Sequence, residues 1–296
     1  MDNVLTLITG SDRLDESAVS HVAMTLRGAG AEVDAPDWLC YGIAADLPFD
    51  GLDLRDANDL AFEALDEAPI DAVAQQAEGR RKRLLVADME STIIANEMLD
   101  ELADEVGLHD QIATITARAM NGELDFDAAL RERVALLTGL DQSALERARG
   151  KIKINYGARE LVATMRHHGG YCALVSGGFS YYTDFVRDEL GFDMDQANHL
   201  EIENGKLTGK VREPILGRDA KRERLLALSS ERDIPIAATM AVGDGANDLE
   251  MLAEAGLGVA YHAKPVVARS AKARIDHADL AALLYLQGYR AEEFKR

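Results

Sequence analysis

Short apolar segments that alternate with helical ones constrain the fold more than any other feature of this sequence. After residue 80, strands are predicted at LLVAD, YCALVSGG, ATMAVGD and GLGVAY, and the segments between them carry apolar residues at helical spacing. Strands that alternate with helices are typical of a parallel sheet covered by helices. We therefore predict an α/β fold whose core is a Rossmann-like parallel sheet.

A long helical block separates the first two predicted core strands. Its segments NEMLDELADEVGL and HDQIATITARAM have helical spacing, and a break is expected at Asn121-Gly122. Because the block lies between two strands of the core, we predict a helical cap inserted at about residues 95–158. Further along, HLEIENGKLTGKV is predicted to form a hairpin that turns at Asn204-Gly205.

The charge balance changes near residue 80 and marks a boundary. Residues 1–79 hold 17 acidic and three basic residues, whereas the rest of the chain holds 35 acidic and 29 basic ones. Before the boundary, VLTLI and WLCYGIAADL are predicted as strands, and DESAVSHVAMTLRG as a helix. We predict a small α+β domain over residues 1–78, followed by the larger domain over residues 79–296. The small domain is either a regulatory or dimerising module or a stabilising appendage.

Composition excludes several classes of partner. A net charge of −20 disfavours nucleic acid and anionic membranes, and the run RRKR at Arg80–Arg83 is more typical of a solvated boundary than of a nucleic-acid patch. The sequence begins without the features of a signal peptide, and no apolar run approaches the ~20 residues that span a bilayer. Cys40 and Cys172 are too few for a disulfide framework. We therefore predict a cytoplasmic protein.

Three polar loops follow three of the predicted strands: DMEST, SGG and GDGAND. The carboxyl ends of parallel strands meet at one edge of a sheet, so Asp88, Glu90 and Asp244 should gather there. Clustered carboxylates are costly without a cation, and Mg²⁺ prefers carboxylate oxygens together with a substrate phosphate. Ser176 and the glycines after it offer a hydroxyl and backbone N–H groups to a phosphate, and Lys221 could add a positive charge. The loops therefore predict phosphoryl transfer to a carboxylate.

The motifs DMEST, SGGF, DAK and VGDGAND resemble those of the haloacid dehalogenase superfamily, over roughly residues 84–290. The resemblance is closest to the members that hydrolyse O-phosphoserine to serine and phosphate, the last step of serine biosynthesis. It implies a hydrolase that depends on Mg²⁺, takes a small-molecule substrate and forms an aspartyl-phosphate intermediate. Some members carry an ACT-like N-terminal module, and the resemblance suggests a diverged relative of it in residues 1–75.

The resemblance also implies roles for residues in the three loops. Asp88 would be the nucleophile and a Mg²⁺ ligand, and Asp244 would be another ligand. Glu90 would give its backbone carbonyl to Mg²⁺ and its carboxyl group as acid and base. The phosphoryl group would be held by Ser176, Gly177, Lys221 and Asn247, with Asp248 steadying Lys221 and the waters of the metal.

In the cap, the resemblance implies four substrate-binding residues. Glu97 would bind the substrate ammonium and Arg133 its carboxylate, because a guanidinium matches a planar carboxylate. Met120 and Phe126 would close over the serine moiety. Without the resemblance, Glu97 could be a first-turn helix acid, Arg133 a surface ion-pair partner, and Met120 and Phe126 core residues.

One departure from the family pattern lies at Glu90, where the superfamily usually has Asp. A metal ligand that is a backbone carbonyl should survive the change, but the acid/base role depends on the length of the side chain. We favour compensation by the local loop. Two alternatives stay open: an enzyme acting on another amino-acid phosphate such as phosphohomoserine, and a phospho-amino-acid sensor with little turnover. A homodimer is a further expectation.

Overall fold

A computed structural model describes residues 1–10, 13–66, 68–120 and 123–296, with residues 119 and 120 described by their backbone alone. The described strands form a five-stranded sheet, a six-stranded sheet and a two-stranded hairpin. The five-stranded sheet uses residues before the predicted boundary, and the other strands come from residues after it.

The N-terminal sheet is antiparallel and is covered by two helices. Its strand order is β2-β4-β1-β5, and β3 pairs with β4. The segment WLCYGIAADL was expected to be one strand, but it forms two strands around a turn, because Gly42 takes a positive φ of 79° there. The elements are β1 (Asn3–Thr9), α1 (Glu16–Gly28), β2 (Glu32–Val33), β3 (Asp37–Cys40), β4 (Ala44–Asp50), α2 (Leu54–Leu65) and β5 (Ile70–Gln76).

The larger part of the chain alternates strands and helices as predicted. The cap region contains α3 (Met98–Val106), α4 (His109–Met120), α5 (Phe126–Ala135) and α6 (Ser143–Arg149) after β6 (Leu84–Ala87). The following elements are α7 (Ala158–His167), β7 (Tyr171–Phe179), α8 (Ser180–Leu190), β8 (Met194–Asn198), β9 (Leu200–Glu203), β10 (Lys206–Val211), α9 (Arg218–Glu231), β11 (Thr239–Gly243), α10 (Leu249–Glu254), β12 (Leu257–Tyr261), α11 (Pro265–Ala268), β13 (Ala273–Ile275) and α12 (Ala282–Leu286).

The core sheet has the order β13-β12-β11-β6-β7-β8, and every neighbouring pair is parallel. Each residue of β6, from Leu84 to Ala87, is buried, which is typical of a central strand covered by helices on both faces. The prediction of a parallel α/β sheet is confirmed. The break expected at Asn121-Gly122 lies outside the described residues, between the end of α4 and the start of α5.

The hairpin β9–β10 turns where the sequence predicted. Asn204 and Gly205 at the turn both have positive φ, a conformation that asparagine and glycine adopt most readily. The hairpin packs against the cap through α5. Its strands are antiparallel and belong to neither large sheet.

Buried polar contacts join the N-terminal sheet to the larger part. The Asp71 carboxylate on β5 accepts backbone hydrogen bonds from Asp276 and Ala278, both at 2.8 Å, and from His277. Gln75 donates to the carbonyl oxygen of Leu286 at 2.7 Å. The boundary between residues 78 and 79 stays a prediction. None of the helices in the described ranges is both long enough and apolar enough to cross a membrane.

Candidate active site

The ends of three neighbouring strands bring the three polar loops together. Ala87 on β6 is paired with Leu174 on β7 and with Val242 on β11, so the residues that follow these strands share one edge of the sheet. The backbone N–H of Asp88 donates to the Val242 carbonyl oxygen at 3.0 Å, which fixes where β6 ends. The Asp88 carboxylate accepts the backbone N–H of Met89 at 2.7 Å.

A buried lysine joins two of the loop carboxylates. Lys221 Nζ on α9 lies 2.8 Å from Asp88 Oδ1 and 2.6 Å from Asp248 Oδ1. Asp248 also accepts the Gly245 N–H at 3.0 Å, so the GDGAND loop closes on itself around this carboxylate. Burial alone would lower the pKa of Lys221, but the two carboxylates outweigh it and raise the pKa, so the ammonium stays charged.

The charges of this cluster do not balance without a further cation. Oxygens of Asp88, Asp244 and Asp248 lie within 4.8 Å of one another, and all three residues are buried. One lysine neutralises one of three carboxylates, which leaves a charge that a divalent cation would match. Burial, and after it the charge of Asp248, raises the pKa of Asp88, and the same causes raise the pKa of Asp244 to about 6. These shifts express the cost of confining the carboxylates without that cation.

Glu90 lies between the acidic cluster and the cap. Its Oε1 accepts the backbone N–H of Met98, the first residue of α3, at 2.9 Å. Its carboxyl group also packs against Gly178, where an added Cβ would lie 2.7 Å from Oε2. Burial, and after it the charge of Glu97, raises the pKa of Glu90 to about 8. A carboxyl group with this pKa is protonated near neutral pH and can donate a proton.

The SGG loop was expected to follow a strand, but its residues lie within β7, where the pairing with β8 is irregular between Val175 and Phe179. It is held from two sides. Within it, Ser176 Oγ accepts the backbone N–H of Gly178 at 2.9 Å. From outside, the Asn198 side chain donates to the Gly177 carbonyl oxygen at 2.8 Å and accepts the N–H of Leu216 at 2.8 Å. These bonds fix the loop backbone, and the Ser176 hydroxyl, whose oxygen accepts the Gly178 N–H, keeps its own O–H to donate to an anion.

Two of the predicted cap residues, Phe126 and Glu97, lie at the start of α5 and just before α3. Phe126, the first residue of α5, lies over Gly177, since an added Cβ there would be 3.2 Å from Phe126 Cζ. Glu97 is exposed just before α3 and accepts the Ser91 hydroxyl at 2.6 Å. Met120 was predicted to accompany Phe126, but its side chain lies outside the described residues.

Arg133 on α5 is half-buried and faces the same acids. Its Nε donates to the Ala129 carbonyl oxygen at 3.2 Å. Burial lowers the pKa of Arg133, whereas the charges of Asp100, Glu90 and Glu97 act in the opposite direction. Its charge and that of Glu97 both act on Glu90, so the expected carboxylate-binding and ammonium-binding groups both lie near the acid/base candidate.

Asn247 lies on the GDGAND loop with the metal candidates. It is half-buried, and its side-chain oxygen packs over Gly245. Asp248 lies beneath it and is fully buried. Apart from Met120, the predicted site residues lie on the three loops, on Lys221 between them, or on the cap segments beside Glu90 and Gly177, and the individual roles stay predictions.

Sequence reasoning missed three buried polar residues that support the site. Asn198 positions the SGG loop, and its place at the end of β8 was the signal that could have revealed it. Thr92 Oγ1 lies 3.5 Å from Asp244 Oδ1. Asn96 donates to Glu101 and accepts the N–H of Lys153, which ties the two ends of the cap together. No spacing in the sequence distinguishes Thr92 or Asn96 from ordinary loop residues.

Three features together define a class of hydrolase. They are a buried carboxylate at the end of a central parallel strand, a lysine that joins it to a second acidic loop, and an inserted helical cap. The model of the haloacid dehalogenase-like hydrolase family matches residues 85–253, and the chain belongs to this family. Proteins similar to this chain narrow the class of hydrolase further.

The curated relatives include phosphoserine phosphatases. The one from Streptomyces coelicolor is 44% identical over 224 residues, which are 76% of this chain and 55% of that protein. The one from Streptococcus thermophilus is 45% identical over 199 residues, which are 67% of this chain and 93% of that protein. The chain thus spans little more than half the length of the first relative and less than two thirds of two others.

Among solved structures, a probable phosphoserine phosphatase from Vibrio cholerae in its unliganded form is similar over nearly the whole chain. The TM-score is 0.80 at 32% sequence identity, covering 99% of this chain and 88% of that one. The similarity therefore includes the N-terminal sheet as well as the catalytic part.

Proposed function

We propose that this protein is a Mg²⁺-dependent phosphatase that hydrolyses O-phosphoserine to serine and phosphate. The observation that carries the proposal is the placement of the Asp88 carboxylate between Lys221 and the end of the strand beside the SGG loop. An attacking carboxylate, a fixed cation and a phosphate-binding backbone loop are what transfer of a phosphoryl group to an aspartate requires.

In the first half of the reaction, an Asp88 oxygen attacks phosphorus and the bond from phosphorus to the seryl oxygen breaks. Glu90, protonated near neutral pH, donates its proton to the leaving seryl oxygen. Lys221, the Ser176 hydroxyl and the Gly177 N–H stabilise the negative charge on the phosphoryl oxygens. Serine leaves, and the phosphoryl group stays on Asp88.

In the second half, the deprotonated Glu90 takes a proton from water, and the water oxygen attacks phosphorus. The bond from phosphorus to Asp88 breaks, which releases phosphate and restores the carboxylate. The same residue thus acts first as acid and then as base, and its hydrogen bond to the Met98 N–H keeps it in place for both steps. The cap limits access of bulk water while the ester is bound.

The donor set fits a hard divalent cation. Asp88, Asp244 and the backbone carbonyl of residue 90 would hold Mg²⁺, with Asp248 steadying Lys221 beside them. When bound, Mg²⁺ neutralises charge on the transferring phosphoryl oxygens. Lys221 supplies the fixed part of that neutralisation from the protein itself.

The cap residues suit an amino-acid phosphate. Glu97 would bind the ammonium group of the substrate, and Arg133 would bind its carboxylate. Phe126 covers Gly177 in the SGG loop. These groups would serve any α-amino acid of similar length, so phosphohomoserine is the competing substrate. A cytoplasmic location and a homodimer stay predictions of the sequence.

The deciding experiment measures phosphate release from O-phosphoserine, O-phosphohomoserine and phosphate esters without an amino-acid group, with Mg²⁺ and with EDTA. We expect O-phosphoserine to be preferred, activity to need Mg²⁺, and Asp88→Asn to abolish turnover. Asp56→Asn, a change of an exposed acid on α2, is the matched control and should retain full activity. Tight binding of O-phosphoserine without release of phosphate would instead favour the sensor.

A further inference from the structure

A cavity of about 960 Å³ lies between the N-terminal sheet and the edge of the core sheet. One wall is formed by α2 and β5, and the other by the segment after α11 together with the chain that links the two sheets. None of the residues assigned to the active site lines this cavity. It is therefore a separate feature, and a ligand bound in it would touch both parts of the chain.

The charge of this cavity is opposite to that of the chain. The chain has 32 basic and 52 acidic residues, yet the described residues that line the cavity include six basic and three acidic ones. Two of the acids are on α2, where Asp53 caps the helix through the N–H of Arg55 and Asp59 lies 4.0 Å from the Arg55 guanidinium. The basic residues are Arg55, Arg80, Lys82, Arg269, Lys272 and Arg274.

Two lysines in the cavity are bonded to carbonyl oxygens and not to carboxylates. Lys82 Nζ donates to Gly79 at 3.0 Å and to Ala237 at 2.9 Å, and Lys272 Nζ donates to Ala255 at 3.0 Å. Within the described ranges, neither lysine makes an ion pair. Burial, and after it the charge of Lys272, lowers the pKa of Lys82, so the two ammonium groups repel each other across the cavity. An anion between them would remove this repulsion.

Two arginines that line the same cavity are held in place by contacts with other residues. Arg80 pairs with the buried Asp46, and its Nη1 is buried with no hydrogen-bond partner in the described part of the chain. The Arg274 guanidinium lies over the Phe62 ring at 4.4 Å and pairs with Asp276 at 2.6 Å. These contacts hold both guanidinium groups in place before a ligand binds, while their carboxylate partners offset part of their charge. Lys82 and Lys272, which make no ion pair with the described residues, therefore supply most of the positive charge of the wall. The run RRKR, interpreted as a solvated boundary, thus places two of its residues, Arg80 and Lys82, in this cavity.

We propose that the cavity is a binding site for a small, multiply charged anion of the phosphate or carboxylate type, separate from the active site. Lys82, Lys272 and Arg269 contact the anion, and Arg80 and Arg274 form the fixed part of the wall. Because the ligand contacts both the N-terminal and the larger part, its binding stabilises the folded chain as a whole.

The test is titration calorimetry of the intact protein with inorganic tripolyphosphate and with citrate, in buffer freed of divalent metal on a chelating resin so that neither probe is bound to metal and no soluble chelator competes. We expect at least one probe to bind the wild type and to raise the midpoint of thermal unfolding. In Lys82→Gln/Lys272→Gln, the affinity should fall at least tenfold. The matched control is Lys206→Gln/Lys210→Gln, which removes the same charge from the exposed face of β10 and should bind as the wild type does.

The two probes distinguish a phosphate-type from a carboxylate-type ligand. Arg269→Gln is a second test in case the double variant folds poorly, because Arg269 is exposed and makes no ion pair with the described residues. It should weaken binding severalfold. The proposal is overturned if neither probe binds the wild type, or if the cavity variants bind as tightly as the control. Activity on O-phosphoserine does not enter the test, so failure of the proposed function would leave its result intact.

Discussion

Glu90 departs from the family pattern, and its surroundings predict the effect of restoring aspartate. The glutamate spans the distance from the DMEST loop to the N-terminus of α3, where it accepts the Met98 N–H at 2.9 Å. Its carboxyl group fills the space beside Gly178, where the Cβ of a larger residue at position 178 would lie. Removing one methylene withdraws the carboxyl group by about 1.5 Å, the length of a carbon–carbon bond. The hydrogen bond to Met98 then cannot form.

The expected cost follows from this displacement. A catalytic group misplaced by ~1 Å can lose ~100-fold in rate, so Glu90→Asp should lower kcat by about 10- to 100-fold. The assay is steady-state phosphate release from O-phosphoserine, with KM measured separately because Glu90 is not assigned to substrate binding. Glu90→Gln, which has the same length but no acid, should lower kcat further.

One result would refute this reasoning. If Glu90→Asp were as active as the wild type or more active, the anchoring at Met98 would not compensate for the longer side chain. Equal activity would show that the position of the carboxyl group does not limit turnover, and only a higher activity of Glu90→Asp would support the sensor hypothesis. A loss of kcat in both variants supports the inference that the DMEST loop and α3 are positioned to fit a glutamate at residue 90.

Three further predictions concern acid catalysis, recognition and domain contact. Because burial raises the pKa of Glu90 to about 8 and its protonated form donates to the leaving oxygen, kcat/KM should fall as pH rises through that value; a pH–rate profile that stays flat there contradicts the assignment. Arg133→Lys should lower kcat/KM about tenfold for O-phosphoserine, since lysine lacks the bidentate geometry, but not for O-phosphoethanolamine, which has no carboxylate; equal losses would exclude carboxylate recognition. Asp71→Ala should lower the free energy of unfolding, measured with urea, by about 3 kcal/mol, because three backbone N–H groups lose their buried acceptor. Asp56→Ala is the neutral control, and equal stability of the two variants would show that these contacts contribute little.

Much of the site could be inferred from sequence because its residues follow predictable strands. Asp88, Ser176 and Asp244 each come directly after an apolar segment, and parallel pairing necessarily brings such positions to one edge. Asn198 also follows a strand, but no glycine-rich or acidic motif marks it, so its support of the Gly177 carbonyl became visible only through the hydrogen bond. The split of WLCYGIAADL into two strands was missed because a single glycine turn interrupts an otherwise continuous apolar pattern.

The basic cavity could not be inferred from sequence. Its residues come from α2, from the linker at Arg80–Lys82 and from the segment after α11, which are far apart along the chain. Each basic residue looks like a solvated surface charge on its own, and only the packing of the two sheets against each other places them around one space.

By itself, the sequence determined the alternation of strands and helices, the polar residues at the strand ends and the excess of negative charge, because these depend on local pattern and composition. The tertiary structure alone decided that Lys221 also pairs with Asp88, that Glu90 reaches the start of α3, and that Asp71 ties the N-terminal sheet to the rest. These contacts join residues that packing brings together, and their strength comes from burial, which a linear pattern of residues does not specify.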